Sequence, residues 1–595
     1  METNYWSSIL SKRQLSRRRL LGGTAGIAAG GMALSLIGCG SGSGGKDTGP
    51  RDSSGLLGDS RDTTKEAKAG GIWEDSITSD VITLDPHANN GTPTFQQLVP
   101  VYSLLVKHGL APLDTAPTPD LITGDAAESW EVSGDGLQVT FKLRANHRFD
   151  PRSPTNGRAM EAADAKWSWD RTTRISPFSV DIANQRNPAS PVESVSTPDS
   201  RTVVLKLAFP HASLLEMLAY YQYYYLLPRE AEDKFDPRSD MRGSGPFLLS
   251  KYTPSIGFEF RKNPNWYENG RPFLDGVNRT IIKEYASGLA QFRTGNLWSY
   301  TVKAEEVIGL KKELTKLVMH KATDYPTGNS YLAFSQRPNS PFRDVRLRRA
   351  ASMLLDRDLW IDTFYDVSGY RREGLDIDTI WHSHIPSGCP DWIDPKGKGL
   401  GEGAKYFQYD LAEAKRLIRA AGAEKTPVVF HYFTTLNNNS PPRNEVHAGM
   451  LREGFDIKVE PLDYVSSWRE VCQRSTGNGY DGICYNTQAT PTQDAYLVSM
   501  YTPDGKYTVS DKPLGRITDL VVQQRRELDA KKRGDLVREI QQLAAADMVN
   551  LPFIGHAPSF SLRWPWLRNE GVFTSGGYSA RPETRAWYDE SKRNA

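Results

Sequence analysis

Catalytic signatures are missing from this chain. It holds no phosphate-cradling G-x-x-x-x-G-K-[ST], no H-E-x-x-H and no G-x-S-x-G. Its Ser, His and Asp residues are scattered, and scatter does not define a triad. Cysteine is sparse: four in 595 residues, at Cys39, Cys389, Cys472 and Cys484, with no zinc-ligand spacing. An excess of charge of one sign is missing too. The formal net charge is +2, but Lys12, Arg13, Arg17, Arg18 and Arg19 stand against Glu2 alone in the first 38 residues, which leaves the remainder at −2. A near-neutral chain has no electrostatic case for nucleic-acid binding. What is present, 38% hydrophobic and 24% charged residues, is the composition of a soluble globular protein.

The N-terminus reads as a targeting segment and is set apart from the fold. Ser16-Arg17-Arg18-Arg19-Leu20-Leu21 resembles the twin-arginine export signal, with Leu20 where that signal prefers Phe. The uncharged stretch 20–38 ends at Leu36-Ile37-Gly38-Cys39, which fits the lipoprotein signal-peptidase pattern of an aliphatic residue, a small residue and cysteine. Residues 1–38 are therefore expected to be a cleaved signal peptide and Cys39 the lipidated first residue of the mature chain. The alternative is an N-terminal membrane helix, for which 19 uncharged residues are just long enough. Each acyl methylene buried would contribute about 0.8 kcal/mol, so more than one chain on Cys39 gives a stable anchor. Residues 39–69, rich in Gly, Ser, Thr, Asp and Lys, are expected to be a flexible linker.

The stretch 119–171 organises the rest. Gly134-Asp135-Gly136 separates two apolar runs and supplies the positive-φ positions of a tight hairpin. Val139, Phe141 and Leu143 then alternate with polar residues, a strand with one buried face, and 161–171 reads as a helix. The order Ala127-Glu128-Ser129-Trp130-Glu131, Asp135-Gly136, Phe141, Leu143-Arg144 and Phe149 resembles the solute-binding proteins of ABC transporters, in the family that handles oligopeptides, dipeptides and nickel complexes. One departure is the turn Asp150-Pro151-Arg152-Ser153-Pro154, where members have a short Asp-Gly turn. Further matches follow in order: Leu84-Asp85-Pro86, Gly243-Ser244-Gly245-Pro246-Phe247, Arg271-Pro272-Phe273-Leu274-Asp275-Gly276, Pro341-Phe342-Arg343-Asp344 and the helix opening at Asp410. Their physical content is turn chemistry between strands, with Gly and Pro setting backbone angles. The resemblance covers roughly residues 70 to 590.

The resemblance implies an α/β, two-lobed periplasmic-binding-protein-like fold of the large peptide-binding type, with crossing hinge strands. Lobe I would span 70–325, with an extra subdomain at about 89–235; lobe II would span 326–514; and 515–595 would return to lobe I, so that the crossings fall near Tyr325 and Leu514. The loop after Pro86 would pass close to ligand, as would the loop after the lobe-two strand ending at Tyr485. This nominates Asn90, Gly91 and Thr92 from lobe I, Asn486, Thr487 and Gln488 from lobe II, and Trp381 beside them. In peptide-binding members the second loop carries an aspartate that pairs with the peptide's amino terminus; that position falls on Ala489, with Asp494 nearby as a substitute. An ammonium left unpaired in a closed cleft is costly, so a peptide, a sugar and a metal chelate all stay open as ligands.

The implied function is a monomeric binding lipoprotein that captures a small solute by lobe closure and delivers it to an ABC permease without altering it, using no cofactor. The alternatives are an extracellular lipoprotein hydrolase and a signalling receptor on the same scaffold. Three smaller readings complete the list. Cys472 and Cys484, close in sequence in an exported chain, can pair, the alternative being three buried thiols. Tyr220, Tyr221, Tyr223, Tyr224 and Tyr225 read as core rather than as a stacking platform. His382-Ser383-His384 reads as a loop rather than a metal site.

Overall fold

The computed structural model of the protein describes residues 53–593, except 89–91, 114–117, 119–120, 323–329, 435–439, 473–478, 488–489, 491, 506, 511 and 571–578. The organising hairpin forms as expected. Strands Ala127–Val132 and Gln138–Leu143 pair antiparallel around a turn in which Gly136 has φ +71°. Ser133 Oγ and Asp135 Oδ1, 2.6 Å apart, tie that turn. Val139, Phe141 and Leu143 are all fully buried. The helix after it runs Ala162–Ile175 and starts with a reciprocal cap between Glu161 and Asp164.

Four sheets carry the architecture. Strands Ile72–Ile77, Gly276–Ile281, Gly257–Lys262 and Phe247–Thr253 make the first, with a parallel pair between the first two. The subdomain sheet holds the hairpin together with Thr202–Leu207 and Val192–Asp199. A small antiparallel sheet joins Ser299–Tyr300, Ser559–Arg563 and Val318–Ala322. The second lobe is built on Asp456–Leu462, Pro427–Phe433, Ile483–Thr487, Ser330–Phe334 and Leu551–Pro552. Its first three strands run parallel, with helix Ser440–Leu451 between two of them in sequence, a β-α-β unit. Two apolar cores back these sheets: one lies under the first sheet and the subdomain sheet, and the other under the second-lobe sheet and the small sheet, taking in Phe292, Val307, Met319 and Leu562.

Two expectations change. The return crossing is not near Leu514: Leu551 and Pro552 still pair with Leu332 and Tyr331 in the second lobe, and the chain reaches the small sheet only at Ser559. The helices Arg516–Arg526 and Ala530–Asp547, expected in the return to lobe I, instead bury Ile517, Leu520, Val537 and Ile540 in the second core. The first crossing, expected near Tyr325, falls outside the described residues. Nor is the linker free up to residue 69. Gly58 N donates to Met319 O at 2.7 Å, Thr63 Oγ1 donates to Asn569 Oδ1 at 2.8 Å, and Trp587 Nε1 donates to Thr63 Oγ1 at 3.0 Å. Leu56 and Leu57 pack on the second core, enough apolar area to hold a segment that composition alone makes look loose.

The glycines of Gly243-Ser244-Gly245 do something other than set positive angles. A Cβ on Gly243 would meet Val101 O at 2.0 Å, and one on Gly245 would meet Pro100 O at 2.5 Å. Gly245 N donates to Val101 O at 2.7 Å, so the requirement is close backbone approach. Cys472 and Cys484 form a disulfide, and Cys389 is a buried free thiol. The five tyrosines at 220–225 are all buried in the first core.

Candidate functional site

In a sheet of this kind ligands collect beyond the carboxyl ends of the parallel strands. Strand Ile483–Thr487 ends there, registered so that Asn486 faces Tyr331 and Thr487 faces Ser330 on the neighbouring strand. Asn486 is buried and Thr487 half-buried. Tyr485 is fixed from two sides: its hydroxyl lies 2.8 Å from Ser330 Oγ, and its carbonyl accepts from Trp468 Nε1 at 3.0 Å. Helix Gln493–Tyr501 follows, capped by Thr492 Oγ1, which accepts from Ala495 N at 3.0 Å. Gln488 and Ala489 lie outside the described residues.

On the first lobe, Asn90 and Gly91 also lie outside them, and Thr92 is the first residue of helix Thr92–Leu98. The segment leading there is pinned by charge. Arg171 donates from Nη1 and Nη2 to Asp85 Oδ1 and Oδ2 at 2.8 and 2.6 Å, both side chains buried. His87 donates from Nε2 to Tyr225 O at 3.0 Å, and burial takes its pKa down to about 4, so the ring is neutral. Phe95 on the following helix stacks on Tyr221 with ring centroids 4.1 Å apart. Across from it, Tyr331 Oη donates to Tyr507 O at 2.8 Å. Burial pushes the Tyr221 and Tyr507 hydroxyls up to about 12.

The lobes touch directly at one end of the subdomain sheet. Pairing of Val192 with Leu207 brings Ala189, Phe209 and His211 to that end. Facing them are Asp494, in the first turn of its helix, and Arg525, in the last turn of Arg516–Arg526. Asp494 Oδ2 takes His211 Nε2 and Arg525 Nε, each at 3.1 Å, and Oδ1 takes Gln524 Nε2 at 2.7 Å. Arg525 Nη1 donates to Ala189 O at 2.5 Å, and the Phe209 ring lies 5.7 and 5.3 Å from the guanidinium carbons of Arg525 and Arg526. Burial opposes the Asp494 charge, but Arg525 and His211 hold the carboxyl well below its usual range. Its oxygens are thus taken by protein donors, and Asp494 is a lobe-to-lobe contact rather than a substitute for the carboxylate missing at 489. Reasoning from the sequence missed His211 and Arg525; neither sits in a motif, and only the sheet register brings them together.

Trp381 belongs to a different neighbourhood. Its short strand pairs with Gly555–His556, its Nε1 donates to Asp358 Oδ1 at 2.8 Å, and Lys396 Nζ lies 5.1 Å from the ring centroid. The adjacent histidines bond within the protein through one ring nitrogen each: His382 Nδ1 accepts from Ser387 N at 3.1 Å, and His384 Nδ1 lies 3.2 Å from Asn550 Oδ1. Among the described residues no group of three or more His, Cys, Asp or Glu is placed to hold a metal ion.

A family model described as bacterial extracellular solute-binding proteins, family 5, matches residues 122–508. The chain belongs to that family. A protein of Brucella ovis named as an ABC transporter peptide-binding protein is 29% identical over 320 residues, 51% of this chain and 53% of its own length; the chain thus spans about half the length of that curated relative. The dipeptide-binding protein of Escherichia coli is 24% identical over 79% of this chain and 86% of its own. Among solved structures, the periplasmic binding protein DppA of Helicobacter pylori in complex with peptide STSA superposes with TM-score 0.70 at 18% identity, covering 88% of this chain and 99% of that one. NikA of Brucella suis in complex with Fe(III)-EDTA gives 0.69 at 18% identity, covering 87% and 100%. These structures share the two-lobed fold.

Proposed function

We propose that this protein is the substrate-binding lipoprotein of an ABC importer, which closes its lobes on a short peptide or another small polar solute and delivers it to the permease. The observation that carries the reading is the lobe contact itself. Two sheets with separate cores are linked through a small strand pair and meet again at His211, Asp494 and Arg525. A ligand that touches both lobes favours the shut form by its difference in affinity for the two states. The cleft-lining set is Asn90, Gly91 and Thr92 with Asn486, Thr487 and Gln488. Peptide is supported by the names of the relatives, and metal chelate by a ligand seen in a neighbour. The absence of a carboxylate at 489 argues for a solute not held by its ammonium group.

Export by the twin-arginine route and anchoring through Cys39 belong to the same reading, which places the protein on the outer side of the cytoplasmic membrane as a monomer. Native mass spectrometry of co-purified ligand, followed by a tryptophan-fluorescence screen of peptides, sugars and metal chelates, tests it. One class is expected to bind 1:1 and to change the emission; no binding in any class would overturn the reading. Cys39→Ser is expected to move the protein from the membrane fraction to the soluble one.

A further inference from the structure

Away from the cleft, the N-terminal strap and the strands that join the lobes enclose a cavity of about 390 Å³. Its floor is Val318 on one joining strand and Arg563 on the other, and Gly58 roofs it through the hydrogen bond to Met319 O. Positive side chains crowd the walls: Arg61, Lys311, Arg563, Arg568 and Lys592. The acids in the lining do not match them. Asp59 and Glu66 are taken up by Arg61 at 3.7 Å each, and Asp589 Oδ1 accepts from Ser591 Oγ at 2.6 Å. Among the described residues the side chains of Arg568 and Lys592 have no hydrogen-bond or ion-pair partner. Arg563, only 8% exposed, donates from Nη1 to Glu570 O at 3.2 Å and has the Glu570 carboxylate at 3.8 Å, while its Nε has no acceptor among the described residues.

Nearby groups respond to this surplus of positive charge. Burial first, then Arg563 and Arg568, takes the pKa of His320 down to about 3. Cations gathered along a cavity wall without matching counter-charges favour an anion between them. Guanidinium forks select planar or tetrahedral oxyanions, and an ammonium beside them adds a point charge. The volume falls in the range of small-molecule sites, so the anion carries an organic group.

We propose that this cavity is a binding site for a phosphate ester, held by Arg563, Arg568 and Lys592 between the strap and the lobe-joining strands. The same chemistry is offered by a soluble sugar or glycerol phosphate and by the headgroup of an anionic phospholipid. The test is calorimetric titration of the full chain with glycerol phosphate, with glycerol as the uncharged control. Binding at one site is expected, weakened at least about tenfold in Arg568→Gln and in Lys592→Gln, with glycerol silent. Both side chains border the cavity rather than the core, and unchanged unfolding midpoints will show that the variants are folded. Absence of binding up to about 10 mM, or equal binding by wild type and both variants, overturns the proposal. A second arm adds vesicles of phosphatidylglycerol or phosphatidylcholine. Competition by the former alone supports the site with a lipid source; no competition by either supports it with a soluble source.

Discussion

His211 and Asp494 come from opposite lobes and meet with Nε2 and Oδ2 3.1 Å apart, both side chains withdrawn from water. Arg525, from the same lobe as Asp494, shares the same carboxylate oxygen and balances its charge, while His211 and the bond from Arg525 Nη1 to Ala189 O are what cross between the lobes. Asp494→Asn strands Arg525 against the Ala189 carbonyl without its counter-charge. Taking the charged partner away from the buried His211 Nε2 costs about 1.5–3 kcal/mol, roughly ten- to a hundredfold in the ratio of shut to open forms. Small-angle scattering of Asp494→Asn should show a larger radius of gyration, and solute affinity should weaken by a similar factor. An unchanged scattering curve with unchanged affinity would remove this contact from any role in closure.

Acid should open the clamp. Burial holds His211 below its usual value of 6.5 in the shut form, while in the open form the ring is free to take up a proton. A group whose pKa is depressed by closure contributes its full stabilisation above the open-state value and loses it progressively as the pH falls below it. Lowering the pH from about 7.5 to about 5.5 should therefore weaken solute binding. Asp494, also depressed, keeps its contribution until much lower pH, below its usual value of 3.8. In His211→Asn the pH dependence over that upper window should flatten; a profile identical to wild type would assign the titration elsewhere.

The Cys472–Cys484 bridge closes a short loop, with a sequence separation of 12. Loops of that size are stabilised by about 3 kcal/mol on crosslinking. The Cys472→Ser, Cys484→Ser double variant should unfold at correspondingly lower denaturant. Thiol titration of the unfolded lipidated chain should find only Cys389 before reduction and all three cysteines after it.

Arg581 is fully buried and donates to both oxygens of Asp125 at 2.8 Å, to Val99 O at 2.8 Å and to Tyr102 O at 2.8 Å. It ties the C-terminal segment back onto the first lobe. Arg581→Ala leaves Asp125 charged and unmatched in the core, at a cost of about 3–5 kcal/mol. Chemical denaturation followed by tryptophan emission should register that loss in the first lobe; a shift below about 1 kcal/mol would show that water replaces the guanidinium.

With alanine at 489 and Asp494 occupied, an N-acetylated peptide should bind about as well as its free-amine parent, within roughly threefold. Ala489→Asp should restore a preference for the free amine. A strong preference in the wild type would locate another carboxylate in the cleft.

The hairpin at Gly134-Asp135-Gly136, its alternating strand, the helix after it and the helix opening at Asp410 were readable from local pattern, because each is decided within a few residues by turn chemistry and a repeating apolar face. The Gly-Ser-Gly-Pro-Phe match was also readable, but not its cause, which lies in the approach of Val101 and Pro100. Length and composition misled where contacts are long-range: Leu56, Leu57 and Thr63 look like linker until Met319, Asn569 and Trp587 are set beside them.

By itself, then, the chain's sequence determined the family, the two-lobed plan and the export signal it resembles, since these rest on short-range patterns in a set order. Only the tertiary structure decided where the second crossing falls, which carboxylates are free and which cations lack partners. Those depend on the pairing of charges brought together by sheet register and core packing, and a buried charge takes its energy from neighbours that are distant along the chain.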